Sequence, residues 1–138
     1  MEEIFSADLS VQHHVQAVLT LLDEYAQADA GGVQLSERVK SDLVDELRKR
    51  QNAHVVLAFV EGEPAGIAIC FEESSIWPFR PKLSVYDLIV AQTHRGRGIS
   101  QCMLAKAEEI SAQAGCSKLT VEVQEEGVKS LPYCGVKI

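Results

Sequence analysis

Apolar positions recur at helical spacing from Val11 onward, at Val11, Val15, Val18, Leu19, Leu22 and Tyr25, and the run Asp29 to Gly32 breaks that helix. Before it, "EEIFSA" reads as a short first strand, with Asp8 or Ser10 placed to cap the helix. A second helix starts at the N-cap candidate Ser36, carries Val39, Leu43, Val44 and Leu47 on one face, and closes in "RKRQN". Basic residues suit a helix C-terminus, so that run is read as a helix end rather than a nucleic-acid patch.

The pattern then changes from period 3.6 to extended. "HVVLAFVE" (54–61), the turn "GEP" and "AGIAICFEE" (65–73) predict an antiparallel hairpin rich in β-branched and aromatic residues. After a loop with two prolines and two aromatics, "LSVYDLIVA" (83–91) predicts a strand covered on both faces, broken only by Asp87. Residues 97–114 predict an amphipathic helix with Met103, Ala107, Ile110 and Ala114 inward, stopped by Gly115. "KLTVEV" (118–123) predicts a parallel-sheet strand, and a short tail follows. The order β-α-α-β-β-β-α-β predicts a mixed α/β fold with a central sheet flanked by helices, in a single domain spanning residues 1–138.

Composition narrows the task. A formal net charge of −7 argues against nucleic acid or anionic membrane as the main partner. No apolar run approaches the ~18 residues of a membrane span, and the acidic N-terminus does not read as a signal peptide. The expected location is the reducing cytoplasm. The 4 cysteines are widely spaced, without C-x-x-C or His at ligand spacing, so no metal is expected.

Against that acidic background "THRGRGIS" stands out. It joins the end of an apolar strand to the start of a helix, where backbone N–H groups lack intrahelical partners and the helix dipole is positive. Gly96 and Gly98 allow a sharp turn and close approach of an anion, and Arg95 and Arg97 can contact phosphate oxygens. A P-loop needs Lys after its last glycine, and a dinucleotide-binding turn needs glycine where Gln101 stands. The residues alone leave two readings level: an anion cradle, or a strand–helix turn with surface arginines.

The element order and the segment Arg95-Gly96-Arg97-Gly98-Ile99-Ser100 after "DLIVAQTH" together resemble the GNAT superfamily of N-acetyltransferases, whose Q/R-x-x-G-x-G/A motif opens the third helix. The resemblance implies acetyl-coenzyme A as cosubstrate, with backbone amides of Arg95, Gly96, Arg97, Gly98, Ile99 and Ser100 around the pyrophosphate. It also implies that the strand edge at Leu88, Ile89 and Val90 pairs with the pantetheine arm. Ser100 replaces the family's Gly/Ala, and Gln92 stands where the family often has Pro.

Transfer to an amine requires a base, an acid and a donor to the thioester carbonyl. The resemblance points to Tyr133 as acid. Asp87, the lone charge of its strand, is the base candidate, with a structural carboxylate bonded to a neighbouring turn as the alternative. Glu72 and Glu73 are candidates to attract the amine, Trp77 and Phe79 to wall its pocket, and His94 is expected as an exposed loop residue.

The tail "EEGVKSLPYCGVKI" departs from the family, with Pro132 opposing a helix and the last strand shortened or missing. It is degenerate, cut short, or completed by a partner in a homodimer. The expected activity is acetylation of a small-molecule amine or a protein amine. The alternatives are a catalytically degenerate acetyl-coenzyme A-binding module and a protein-interaction domain presenting an open sheet edge.

Overall fold

A computed structural model describes residues 2–28, 35–74 and 81–121 of the chain. Its elements are β1 (Glu2–Ser6), α1 (Gln12–Ala28), α2 (Glu37–Lys49), β2 (Ala53–Val60), β3 (Glu63–Glu73), β4 (Lys82–Val90), a single 3-10 turn η1 (Gln92–His94), α3 (Ile99–Gln113) and β5 (Leu119–Val121). The strands form one mixed sheet in the order β1-β2-β3-β4-β5. The first four are antiparallel neighbours, and β5 joins β4 in parallel after the α3 crossover.

Local chemistry explains the boundaries. Ser36 accepts the Val39 N–H at 3.1 Å, capping α2 as its sequence position predicts. Asp8 instead takes the N–H and hydroxyl of Ser10, closing a tight turn ahead of α1. Gly115, at φ +76°, ends α3 in the left-handed conformation. The helices are shorter or rotated relative to the sequence pattern. On α1 the buried positions are Val15, Ala17, Val18, Leu21 and Ala26, while Val11, just before the helix, is exposed; on α2 Val44 and Leu47 are buried and Val39 is exposed.

The sheet separates two apolar cores. On one face α3 contributes Ile99, Met103, Leu104, Ala107 and Ile110 against Val56, Ala68, Cys70, Leu83 and Val85. On the other face Val18, Leu21 and Leu47 of α1 and α2 pack on Leu57, Phe59, Ile67, Ile69 and Ile89. Burial pushes the Cys70 thiol up to about 12, with the nearby Asp87 carboxylate adding to the shift, as expected of an inert core cysteine.

One irregularity positions everything that follows. Ile69 of β3 pairs with Asp87, but the next residue, Cys70, pairs with Val85, so Tyr86 is an extra residue in β4. A bulge of this kind moves all later side chains to the opposite face. Leu83 and Val85 lie in the α3 core, and beyond the bulge Leu88 and Val90 pack against that same core. In an unbulged strand Asp87 and Ile89 would share a face with Val85. Here Ile89 belongs to the α1 and α2 core, and Asp87 lines a cavity with Ile69, Phe71 and α2.

Candidate active site

Two recesses flank β4. The larger, a cleft of about 640 Å³, opens between the C-terminal half of β4 and the start of α3. Its lining brings together Leu88, Ile89 and Val90 with Arg95, Gly96, Gly98, Ile99 and Ser100. Of the sequence-predicted cofactor residues, only Arg97 is not part of the lining. Tyr25, His94 and Gln101 complete it.

The turn has the geometry an anion requires. Gly96 and Gly98 lie at φ +80° and +77°, and Gly98 is the N-cap of α3. A Cβ at either position would meet no atom within 4 Å, so the space before the turn is open. The first helical carbonyl in use is that of Gly98, which accepts Cys102 N–H at 3.2 Å. The preceding N–H groups of Ile99, Ser100 and Gln101 have no backbone acceptor among the described residues. These donors, the dipole of a helix of 15 residues and Arg95 in the lining fit a pyrophosphate.

The strand edge leads towards that turn. β4 and β5 pair only from Leu83 to Val85 among the described residues. Ala91 N–H donates to Ala65 C=O at 2.8 Å, so in an extended strand Ile89 and Ala91 direct their backbone groups to β3. Leu88 and Val90 therefore direct theirs to the opposite edge, which no strand pairs among the described residues. Arg95 Nε donates to Val90 C=O at 3.0 Å, confirming that direction. The cleft thus offers polar backbone along β4 and ends at the cradle, whereas Ile89 contributes packing rather than edge hydrogen bonds.

Two sequence expectations change here. His94 is buried, at 8% exposure, with Nδ1 3.1 Å from Thr93 Oγ1, because η1 folds it back towards the cleft. Gln92 is more than a substitute for a turn-stiffening proline. Its N–H donates to Glu24 Oε2 of α1 at 2.8 Å and so ties the turn to α1.

The smaller recess, about 280 Å³, lies between α2 and the sheet and is lined by Leu43, Leu47, Ile69, Phe71 and Asp87, with Glu46 and Arg50 at its α2 side. Burial raises the Asp87 carboxyl above its ordinary value of 3.8. Asp87 has no hydrogen-bond or ion-pair partner among the described residues.

The two strand-end glutamates do not converge. Glu72 lies on the α3 face, where Oε2 accepts His54 Nε2–H at 2.6 Å and its charge helps raise the Cys116 thiol. Glu73 lies on the other face and accepts hydrogen bonds from Tyr86 Oη and, at 2.7 Å, Ser84 Oγ; Lys82 Nζ is 3.9 Å away. The hydrogen bonds from Tyr86 and Ser84 hold its carboxyl below the ordinary value of 4.5. Alternation along a strand dictates the split. Trp77, Phe79 and Tyr133 lie outside the described residues.

Sequence reasoning did not find the α2 recess or the place of Tyr25 in the cleft lining. The bulge did leave a signal: in "LSVYDLIV" the core positions run 83, 85, then 88, 90, a change of parity across Tyr86-Asp87. Among the described residues, no helix is long and apolar enough to cross a membrane, and no group of three or more His, Cys, Asp or Glu is placed to hold a metal.

The mixed five-stranded sheet with its crossover helix α3 and the glycine turn before it is the arrangement found in acetyltransferases of one family. Residues 16–134 match the model of the acetyltransferase (GNAT) family, and the chain belongs to that family and is an acetyltransferase. No curated protein matches it in sequence at a significant level. Among solved structures it is similar to a ribosomal-protein-alanine N-acetyltransferase from Brucella melitensis biovar Abortus 2308, with 20% identity, TM-score 0.76, and coverage of 92% of this chain and 84% of that one. An aminoglycoside acetyltransferase from an uncultured soil metagenomic sample gives 22% identity, TM-score 0.72, and coverage of 93% and 82%. The aminoglycoside N-acetyltransferase AAC(6')-Iy, solved in complex with CoA, gives 15% identity, TM-score 0.73, and coverage of 91% and 79%. At these identities the likenesses establish the fold.

Proposed function

We propose that this chain holds acetyl-coenzyme A in the cleft between β4 and α3 and acetylates a primary amine of a small molecule or protein. The observation that carries the reading is the convergence of the β4 edge at Leu88 and Val90, unpaired by a strand among the described residues, with the left-handed Gly96 and Gly98 turn in one cleft. Backbone donors from the turn into α3 neutralise the pyrophosphate, with Arg95 and Arg97 at the rim. The bound cosubstrate supplies an electrophilic thioester carbon and a thiolate leaving group.

Asp87 is the base. It stands on the opposite face of the bulged strand, and its burial makes it a stronger proton acceptor than an exposed carboxylate. It takes one proton from the acceptor ammonium, directly or through a water, which frees the nitrogen lone pair. The nitrogen then bonds to the acetyl carbon, the C–S bond breaks, and the second nitrogen proton is shed as the amide forms and replaces the one the acid gives to the thiolate. Tyr133, from the tail, is the proposed acid that protonates the thiolate.

Acetyl-coenzyme A binds only the folded state in this reading, so millimolar cosubstrate raises the melting temperature. The absence of any shift removes the reading. Thiol release that depends on added amine then separates an active transferase from a chain that only holds the cosubstrate.

A further inference from the structure

Resting on that reading, we infer that the acceptor is a small primary monoamine with an apolar body, seated in the recess between α2 and the sheet, rather than a polycation. The cavity, about 280 Å³, falls just below the usual range of ligand-pocket volumes and suits an amine of modest size. Its walls are aliphatic and aromatic: Leu43 and Leu47 from α2, Ile69 and Phe71 from β3. Asp87 is the one carboxylate in the lining without a partner among the described residues.

The remaining charges around this recess are already balanced. Glu46 lies 3.7 Å from both Lys49 Nζ and Arg50 Nε. Glu73, further along the same face, is held by Tyr86, Ser84 and Lys82. Arg50 places its guanidinium 5.7 Å from the Phe71 ring centroid, over the aromatic wall. One ammonium therefore finds one carboxylate, and its carbon skeleton finds apolar walls. A second or third ammonium meets no free carboxylate among the described lining residues, Glu46 being already taken by Lys49 and Arg50, which selects against polyamines and aminoglycosides.

The test uses the full chain with acetyl-coenzyme A and compares thiol release for 2-phenylethylamine, spermidine and kanamycin. The expected kcat/KM for 2-phenylethylamine exceeds those of both polycations by at least about tenfold. Arg50→Glu, a reversal at a half-exposed side chain outside the reacting groups, moves the ratio towards spermidine while a melting curve confirms folding. A preference for spermidine or kanamycin overturns the inference and leaves the transferase reading standing. If no acceptor turns over but acetyl-coenzyme A raises the melting temperature, calorimetry with 2-phenylethylamine on the protein saturated with coenzyme A decides. Binding lost in Asp87→Asn supports the seat, and no binding to the wild type overturns it. Failure of acetyl-coenzyme A to shift the melting temperature removes the reading beneath.

Discussion

The backbone N–H of Gln92 donates to Glu24 Oε2 at 2.8 Å, joining α1 to the turn that precedes the cradle. Ala91, at φ −58° and ψ 142°, already has the conformation favoured before proline, so a proline at 92 would remove only the donor. Glu24→Ala and Gln92→Pro should each cost about 1 kcal/mol in urea denaturation. In the double variant the second change should cost almost nothing, since the interaction is already lost. Full additivity would show that the contact carries no energy. In kinetics, Glu24→Ala should raise KM for acetyl-coenzyme A several-fold with kcat little changed, as expected for a residue that sets the cradle rather than touches the reacting atoms.

Asp87→Asn should lower kcat by about two orders of magnitude and abolish the acidic limb of the pH–rate profile. Its effect on stability has the opposite sign. Burial raises this carboxyl above its unfolded value of 3.8, so the folded state bears the cost of charging it at neutral pH. Below the ordinary carboxylate range that cost vanishes. Asp87→Asn should therefore melt higher than wild type at pH 7, with the gap closing as pH falls towards 3.8. A variant that is both inactive and less stable at pH 7 would assign Asp87 to the scaffold.

Glu73 predicts the reverse profile. Its native carboxyl is held below 4.5 by Tyr86 and Ser84, so its contribution is present above 4.5 and lost as pH falls through the lower native value. Glu73→Gln should destabilise at pH 7 and approach wild type in acid. Tyr86→Phe should reproduce much of that loss, because the Tyr86 hydroxyl does most to hold the carboxyl down. Melting curves of the three proteins from pH 7 to pH 3 check the sign.

How much of this was legible depends on whether a feature is periodic. The α2 cap at Ser36, the β2–β3 hairpin and the glycine turn before α3 are local signals, and each stands where the chain pattern puts it. The opposite faces of Glu72 and Glu73 follow from alternation alone, although pairing them as one binding feature overlooked it. The bulge at Tyr86 is different: one inserted residue reverses the face of Asp87, so a regular reading of β4 places it in the wrong core. His94 and the Glu24–Gln92 tie are long-range outcomes, since residues 68 apart meet only after the sheet forms. The recess between α2 and the sheet is tertiary in the same sense, built from three elements with no shared motif.

The cradle glycines make the last separation, between conformation and space. At Gly98 a Cβ would meet nothing within 4 Å, yet φ is +77°, a region that costs an ordinary L-residue about 1 kcal/mol or more. Gly98→Ala should therefore lose about 1 kcal/mol in denaturant unfolding through backbone strain, without a packing defect. Asparagine tolerates the left-handed region better, so Gly98→Asn should recover part of that stability. Its side chain, however, projects into the open space where the pyrophosphate is proposed to sit. Gly98→Asn should thus be the more stable of the two variants and still show a reduced melting shift with acetyl-coenzyme A. If Gly98→Asn restores the full shift, the space before Gly98 is not where the phosphates bind.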